Sequence, residues 1–223
     1  MLRKIITTAD GSKTIQLEEW NEVYHSKHGA IEEARHVFIN AGLYHILKSF
    51  QPSLMSVLEI GFGTGLNAFL TLLETKKNHV NIDYQGVEAY PVSPEEICQL
   101  NYVDLISPEN QTIFNKLHGC PWDKKVSITS YFELTKRQQF FVDINDVNQF
   151  DIIYFDAFGA RVQPELWTKH IFKKMYDALK VNGVLVTYAA IGQIKRDMID
   201  LGFFVERLDG PPGKRHMLRA TKN

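Results

Sequence analysis

An α/β fold on a doubly wound, mostly parallel sheet is what this 223-residue chain predicts, on three observations. From Val57 onward, short apolar runs alternate with helical stretches, the order that builds parallel sheets. The run Val57-Leu58-Glu59-Ile60 breaks into Gly61-Phe62-Gly63-Thr64-Gly65 and then into the helix-forming residues 66–73. Two strand-like runs, residues 203–208 and 216–220, close the chain around Gly210-Pro211-Pro212-Gly213 and predict an antiparallel edge.

Taken in order, Ile5-Ile6-Thr7-Thr8 and Thr14-Ile15-Gln16-Leu17 flank the turn residues Ala9-Asp10-Gly11-Ser12, so residues 1–20 read as a hairpin. The polar Tyr24-His25-Ser26-Lys27-His28-Gly29 then leads into a helix over residues 30–50. Residues 1–50 are expected to be an extension on the lid and substrate side, and residues 51–223 the main domain. Residues 57–60 form the first strand of that domain and 66–75 its helix. Residues 82–87 follow as a strand, and 94–105 as a helix opened by Pro94. A short helix is expected at 113–119, and a protruding hairpin from strands at 126–129 and 139–142. Residues 150–155 read as a buried strand ending at Asp156. A helix over 164–180, a strand over 183–188 and a helix over 193–201, stopped by Gly202, complete the alternation.

Composition narrows the function classes. A hydrophobic share of 44% and a charged share of 23% are those of a globular protein with a sizeable core. A net charge of -1 argues against wholesale coating of nucleic acid and leaves room for a local basic patch. Cys98 and Cys120 make neither a metal motif nor a disulfide framework, so reduced thiols in a cytoplasmic protein are expected. The apolar start is too short for a signal peptide and no run has membrane-spanning length. The eight histidines lack ligand spacing, so no metal is expected.

The chemistry is carried by residues at the strand ends, where such sheets bind ligands. Gly61, Gly63 and Gly65 let backbone approach a ligand closely, with Phe62, Thr64 and Asn67 beside them. The spacing G-x-G-x-G departs from the dinucleotide G-x-G-x-x-G, and Glu59 would repel a pyrophosphate. Both point to a ligand with a cationic end, such as S-adenosylmethionine. Glu88 ends the second strand, where an acid accepts hydrogen bonds from ribose hydroxyls. Asp143 is placed either to accept from an adenine amino group or to cap a helix at residues 144–146. Asp156 stands where a carboxylate can orient an attacking amine and accept its proton. Phe158 and Trp167 either wall the acceptor pocket or pack in the core. Lys214, Arg215 and His216 either contact phosphate or form a charged hairpin tip, and Lys136-Arg137 is a weaker pair of the same kind. Tyr24 with His25 and Ser26 either folds over the cofactor as a lid or caps the loop.

Several segments together resemble the MnmC methyltransferase-domain family and its stand-alone form, MnmD. They are Tyr24-His25-Ser26-Lys27-His28-Gly29 with Glu33, His36-Val37-Phe38-Ile39, Gly61-Phe62-Gly63-Thr64-Gly65-Leu66-Asn67, Val142-Asp143-Ile144-Asn145-Asp146, Phe155-Asp156-Ala157-Phe158 and Gly213-Lys214-Arg215-His216-Met217-Leu218. The resemblance implies a Rossmann-like class I S-adenosylmethionine methyltransferase fold. It implies methylation of the aminomethyl group of 5-aminomethyl-2-thiouridine at the tRNA wobble position, with Asp156 at the acceptor. In fused relatives an FAD-dependent oxidase domain prepares that amine. No such domain follows Asn223, so a monofunctional enzyme served by a separate FAD-dependent oxidase is expected. After Asp156 the fused proteins tend toward Gly-Phe-Ala-Pro, whereas this chain has Ala157-Phe158-Gly159-Ala160. Two other readings stay open. An aminopropyltransferase shares the glycine loop and hairpin but usually has a denser acidic cluster than Asp156-Ala157-Phe158-Gly159. A non-catalytic RNA-binding module on the same scaffold would have no need of Glu88, Asp143 and Asp156.

Overall fold

The structure, a computed structural model, describes residues 2–223. Strands β1 (Arg3–Thr7), β2 (Lys13–Leu17) and β3 (Glu22–Val23) form a small antiparallel sheet, as the turn residues between them predict. Helix α1 (Ala30–Ala34) continues through a π-helical segment, Arg35–Leu43, into α2 (Tyr44–Phe50). Next come β4 (Leu54–Ile60), α3 (Leu66–Asn78) and β5 (Asn81–Val87). Helices α4 (Pro94–Ile97), α5 (Tyr102–Ile106) and α6 (Gln111–Gly119) lead to β6 (Lys125–Thr129) and β7 (Phe132–Arg137). The chain ends with β8 (Phe150–Phe155), α7 (Lys169–Ala178), β9 (Leu179–Thr187), α8 (Gly192–Asp200), β10 (Phe203–Asp209) and β11 (His216–Lys222).

The main sheet has eight strands in the order β10-β11-β9-β8-β4-β5-β7-β6. Its five middle strands, β9 to β7, run parallel, while β11 is antiparallel to both β9 and β10. The expected antiparallel edge is therefore present. From β4 the chain moves outward to β5 and later returns to β8 on the other side. Strand order reverses there, and a crevice opens beyond the carboxyl ends of β4, β5 and β8.

Both faces of the sheet are covered, which is why β8 is a continuous apolar run with Ile152 to Phe155 all at 0% exposure. Residues of α1, the π-helical segment, α2 and α3 share one core with the sheet. Ile171, Phe172, Met175 and Ala178 of α7 pack with Ile194 and Met198 of α8 on the other face. Gly42 lets the first layer approach, since a Cβ there would sit 2.9 Å from Ile152 Cδ1. Helix α4 opens with a full capping box between Ser93 and Glu96.

Three elements differ from the sequence expectation. The helix expected over residues 94–105 is broken: α4 ends at Ile97, residues 98–101 are not helical, and α5 starts only at Tyr102. The partner of β6 is β7, with Phe132, Leu134 and Lys136 turned inward in strict alternation, and residues 139–142 are not a strand. Phe141–Asp143 instead forms a 3₁₀ turn with Phe140 and Val142 exposed. The helix expected over residues 164–180 is interrupted. Pro164–Trp167 is a 3₁₀ turn, Thr168 is extended, and Lys180 already belongs to β9. Among the described residues, no helix is long and apolar enough to cross a membrane.

Candidate functional site

A cavity of about 820 Å³ lies over the carboxyl ends of β4, β5 and β8. Its floor is the turn after β4. The backbone N–H groups of Gly61 and Phe62 both donate to the Val87 carbonyl at 3.0 Å, and the Asp156 N–H donates to the Ile60 carbonyl at 2.9 Å. The turn is thereby tied to the two neighbouring strand ends. Gly61 has φ +90°, and a Cβ on it would meet the Asp156 carbonyl oxygen at 2.6 Å. Only glycine satisfies both conditions. Thr64 is buried and shares a hydrogen-bond network with Tyr102 and His25. Gly65 starts α3 and lies under the His118 ring, outside the cavity lining.

Three acids meet this floor in different states. Glu88 accepts the Gly63 N–H at 3.1 Å and the Tyr90 N–H at 2.9 Å, one on each carboxylate oxygen. Burial raises its pKa while these donors oppose the shift. Glu59 is 1% exposed; Tyr84 donates to one oxygen at 2.8 Å and Asn67 to the other at 2.9 Å. Burial pushes its pKa well above the usual range. Asn67 also donates to Asp156 at 2.9 Å, so both hydrogens of its amide are used. Its own Oδ1 is buried with no partner. Burial pushes the Asp156 carboxyl up to about 7, and the Glu33 charge adds to the rise.

The roof comes from the N-terminal residues. The Tyr24 ring lies 3.2 Å from where a Gly63 Cβ would sit, and edge-on to Phe158 at 4.9 Å between centroids. Trp20 is also edge-on to Phe158, at 6.3 Å between centroids. Arg161 fixes that corner by bonding the Trp20 carbonyl and, at 2.9 Å, the Glu22 carboxylate. His25 sits between Thr14 at 2.9 Å and Thr64 at 3.5 Å. Burial lowers its pKa to about 4, so the ring is neutral at physiological pH.

Of the residues singled out from the sequence, Tyr24, Glu59, Gly61, Phe62, Gly63, Thr64, Asn67, Glu88, Asp156 and Phe158 all line this one cavity. Others are placed elsewhere. Asp143 is exposed and outside the lining, and residues 144–146 form no helix for it to cap; Phe141 and Val142 reach the cavity instead. Trp167 is 5% exposed, packs on Phe155 and Phe172, and donates to the Phe158 carbonyl at 2.7 Å. It takes the core-packing side of its two readings and supports the wall from behind. Lys214 ion-pairs with Glu33, Arg215 is exposed, and His216 begins β11; none lines the cavity. Lys136 is 2% exposed and donates to the His118 carbonyl at 2.6 Å, while Arg137 pairs with Asp146, so neither is a free phosphate contact.

Arg3, Trp20, Tyr90 and Phe140 line the cavity without having been singled out. Arg3 ties β1 to the segment after Glu88 through the Tyr90 carbonyl and Glu96. Only the aromatic Trp20, close before Tyr24, left a trace of this in the sequence; the Arg3 contacts join residues far apart in the chain.

The residues fit S-adenosylmethionine. Gly61 and Gly63 make a cradle a side chain would fill, the orphaned Asn67 Oδ1 awaits a donor such as an ammonium, and Glu88 keeps free lone pairs beside its two backbone donors. Among the described residues, no group of three or more metal-ligating side chains comes together.

Comparison with known proteins agrees with this chemistry. Residues 122–223 match a family described as S-adenosyl-L-methionine-dependent methyltransferase. The chain is 26% identical over 223 residues to the tRNA 5-methylaminomethyl-2-thiouridine biosynthesis bifunctional protein MnmC of Leptospira interrogans. That match covers 90% of this chain and 32% of the relative, so the chain spans about a third of that protein's length. Among solved structures, MnmC2 from Aquifex aeolicus superposes with a TM-score of 0.81 at 23% identity, over 100% of this chain and 70% of that one. Spermidine synthase from Thermotoga maritima superposes at 0.60 and 17% identity, over 99% of this chain and 69% of that one. The fold is thus the Rossmann-like fold of S-adenosylmethionine methyltransferases, the cofactor reading agrees with the matched family, and the sequence resemblance extends through nearly the whole chain.

Proposed function

We propose that the chain is an S-adenosylmethionine-dependent methyltransferase acting on the aminomethyl group of 5-aminomethyl-2-thiouridine at the tRNA wobble position. The observation that carries this reading is that Asp156 shares one cavity with Gly61, Gly63 and Glu88. A proton acceptor for an amine therefore stands in the chamber that suits the methyl donor. The MnmC relative, named for making the methylated nucleoside, supports the choice of acceptor. We take the amine to be prepared by an FAD-dependent oxidase activity and the reaction to belong in the cytoplasm with its tRNA.

When bound, the cofactor supplies an electrophilic methyl group on a sulfonium. The protein's part is to hold, orient and deprotonate. Glu88 would receive the cofactor's ribose hydroxyls on the lone pairs its backbone donors leave free. Asn67 Oδ1 would accept from the ammonium of the cofactor's amino-acid end, and Glu59 fixes that amide by accepting from its Nδ2. Tyr24 covers the glycine turn and shields the centre from water. Asp156 holds the incoming amine and takes its proton, a role that needs the ionised carboxylate. The Phe158 wall, backed by Trp20, is where the base is received. Arg215, exposed in the loop before β11, is our choice for a phosphate contact, so the RNA grip is local and salt-sensitive.

Two measurements test the reading. A hundredfold excess of S-adenosylmethionine over its Kd is expected to stabilise the protein by about 2.7 kcal/mol. For a chain of this length that raises Tm by roughly 5–10 °C; an unmoved melt at saturation removes the cofactor assignment. Nucleoside mass spectrometry of tRNA from a deletion strain is expected to show the aminomethyl nucleoside accumulating. An unchanged profile rejects the acceptor. The likeness to spermidine synthase favours aminopropyl transfer as the second reading, and turnover with decarboxylated S-adenosylmethionine and putrescine in place of tRNA would establish it.

A further inference from the structure

Lys214 carries a cation expected to face phosphate, yet its ammonium turns inward. It ion-pairs with Glu33 of α1 and lies 3.7 Å from the centroid of the Tyr188 ring. The Glu33 side chain is 8% exposed, and its second oxygen accepts the Ser26 N–H at 2.8 Å. Ser26 directly follows Tyr24 and His25, which roof the cavity. On the other side, the Tyr188 hydroxyl donates at 2.8 Å to the carbonyl of Ala157, the residue after Asp156. The His28 ring packs against Gly213 in the loop before β11, and His36 Nε2 lies 2.8 Å from the carbonyl oxygen of Asp209, the last residue of β10.

We propose that Lys214 and Glu33 are a positioning pair that latches the loop before β11 to the cavity roof and sets the charge facing Asp156. The inference rests on Asp156 being the proton acceptor. A largely buried ion pair is a poor source of net stability, because desolvation offsets most of its attraction. Its effect is therefore sought at the site. Glu33 raises the proton affinity of Asp156 and Lys214 lowers it. The other titratable groups facing Asp156 are Glu59 on β4, Tyr84 on β5, Tyr102 on α5 and Tyr188 after β9. Burial keeps the three tyrosines protonated, and Glu59 is bonded on both oxygens. His25, beside Glu33 and Lys214, is neutral. Glu33 and Lys214 are thus the charges that can be removed singly to shift the Asp156 titration in opposite directions.

The test compares wild type with K214M, E33Q, K214R and the K214M/E33Q double variant, using kcat/KM against pH on tRNA bearing the aminomethyl nucleoside. K214M is expected to move the acidic limb up by about one pH unit and E33Q to move it down by a similar amount. The double variant returns toward wild type and K214R restores it, with the KM for tRNA unchanged within about threefold. A raised tRNA KM in K214M that low salt relieves, with the limb unmoved and E33Q silent, makes Lys214 a phosphate contact and overturns the proposal. If K214M melts too low to assay, an unmoved limb in E33Q alone overturns it. Carbon-13 NMR of the Asp156 carboxyl in the protein without tRNA reads the same opposed shifts. That measurement separates failure of the latch from failure of the proposed methyl transfer, which would show as an inactive wild type.

Discussion

Replacing Asp156 by alanine is expected to lower kcat for methyl transfer by about 10²–10⁴-fold, the usual contribution of a positioned proton acceptor. Cofactor binding should survive, because Glu88, Asn67 and the glycine turn remain; the thermal shift with S-adenosylmethionine checks this in the same sample. Wild-type-like turnover would remove Asp156 from the chemistry. The pH dependence carries a second expectation. Burial first, and the Glu33 charge next, hold the Asp156 carboxyl near 7. The protonated form cannot accept a proton, so kcat/KM should fall below about pH 7, and this limb should vanish in Asp156→Asn.

The same shift has a consequence for stability whose sign can be worked out. The folded-state pKa lies above the ordinary aspartate value of 3.8, so the native state binds the extra proton between the two values. Stability contributed by this group therefore falls as pH rises from about 4 to about 7, and the penalty is fully present above that. Asp156→Asn should melt higher than wild type at pH 8 and equal to it near pH 4. Equal melts at both pH values would mean that Asp156 is solvated rather than buried.

The part of the site read most directly from the sequence is the part set by local rules. An apolar run ending in Glu59 and Gly61, another ending at Glu88, and a third ending at Asp156 declare parallel strands with their ends at one crevice. The hairpin around Asp10-Gly11 and the closing strands around Pro211-Pro212 are equally local. What was hidden depends on distant partners. Phe140-Phe141-Val142 looks like a strand, but the edge beside β5 is filled by β7, whose alternation is masked by an inward Lys136 bonded to the His118 carbonyl. Lys214 looks like a surface cation, but Glu33, 181 residues away in the chain, draws it inward. Trp167 looks like a pocket wall until its indole N–H finds the Phe158 carbonyl.

The glycine turn supplies the other large expected effect. In Gly61→Ala the new methyl would meet the Asp156 carbonyl oxygen at 2.6 Å, on backbone that three strands pin in place. The residue is also at φ +90°, where alanine is strained. Strain of this kind costs about 1–3 kcal/mol, and the clash adds to it. Tm should drop by roughly 5–15 °C, and the stabilisation by S-adenosylmethionine should be lost. Gly11→Ala separates the two causes, since Gly11 has φ +83° but nothing within 4 Å of an added Cβ. It should show a smaller drop in Tm, from strain alone, and keep the full response to the cofactor. A Gly61→Ala protein that still responds fully would mean the turn is a structural corner between β4, β5 and β8, and the cofactor would have to be held by Glu88 and Asn67 without it.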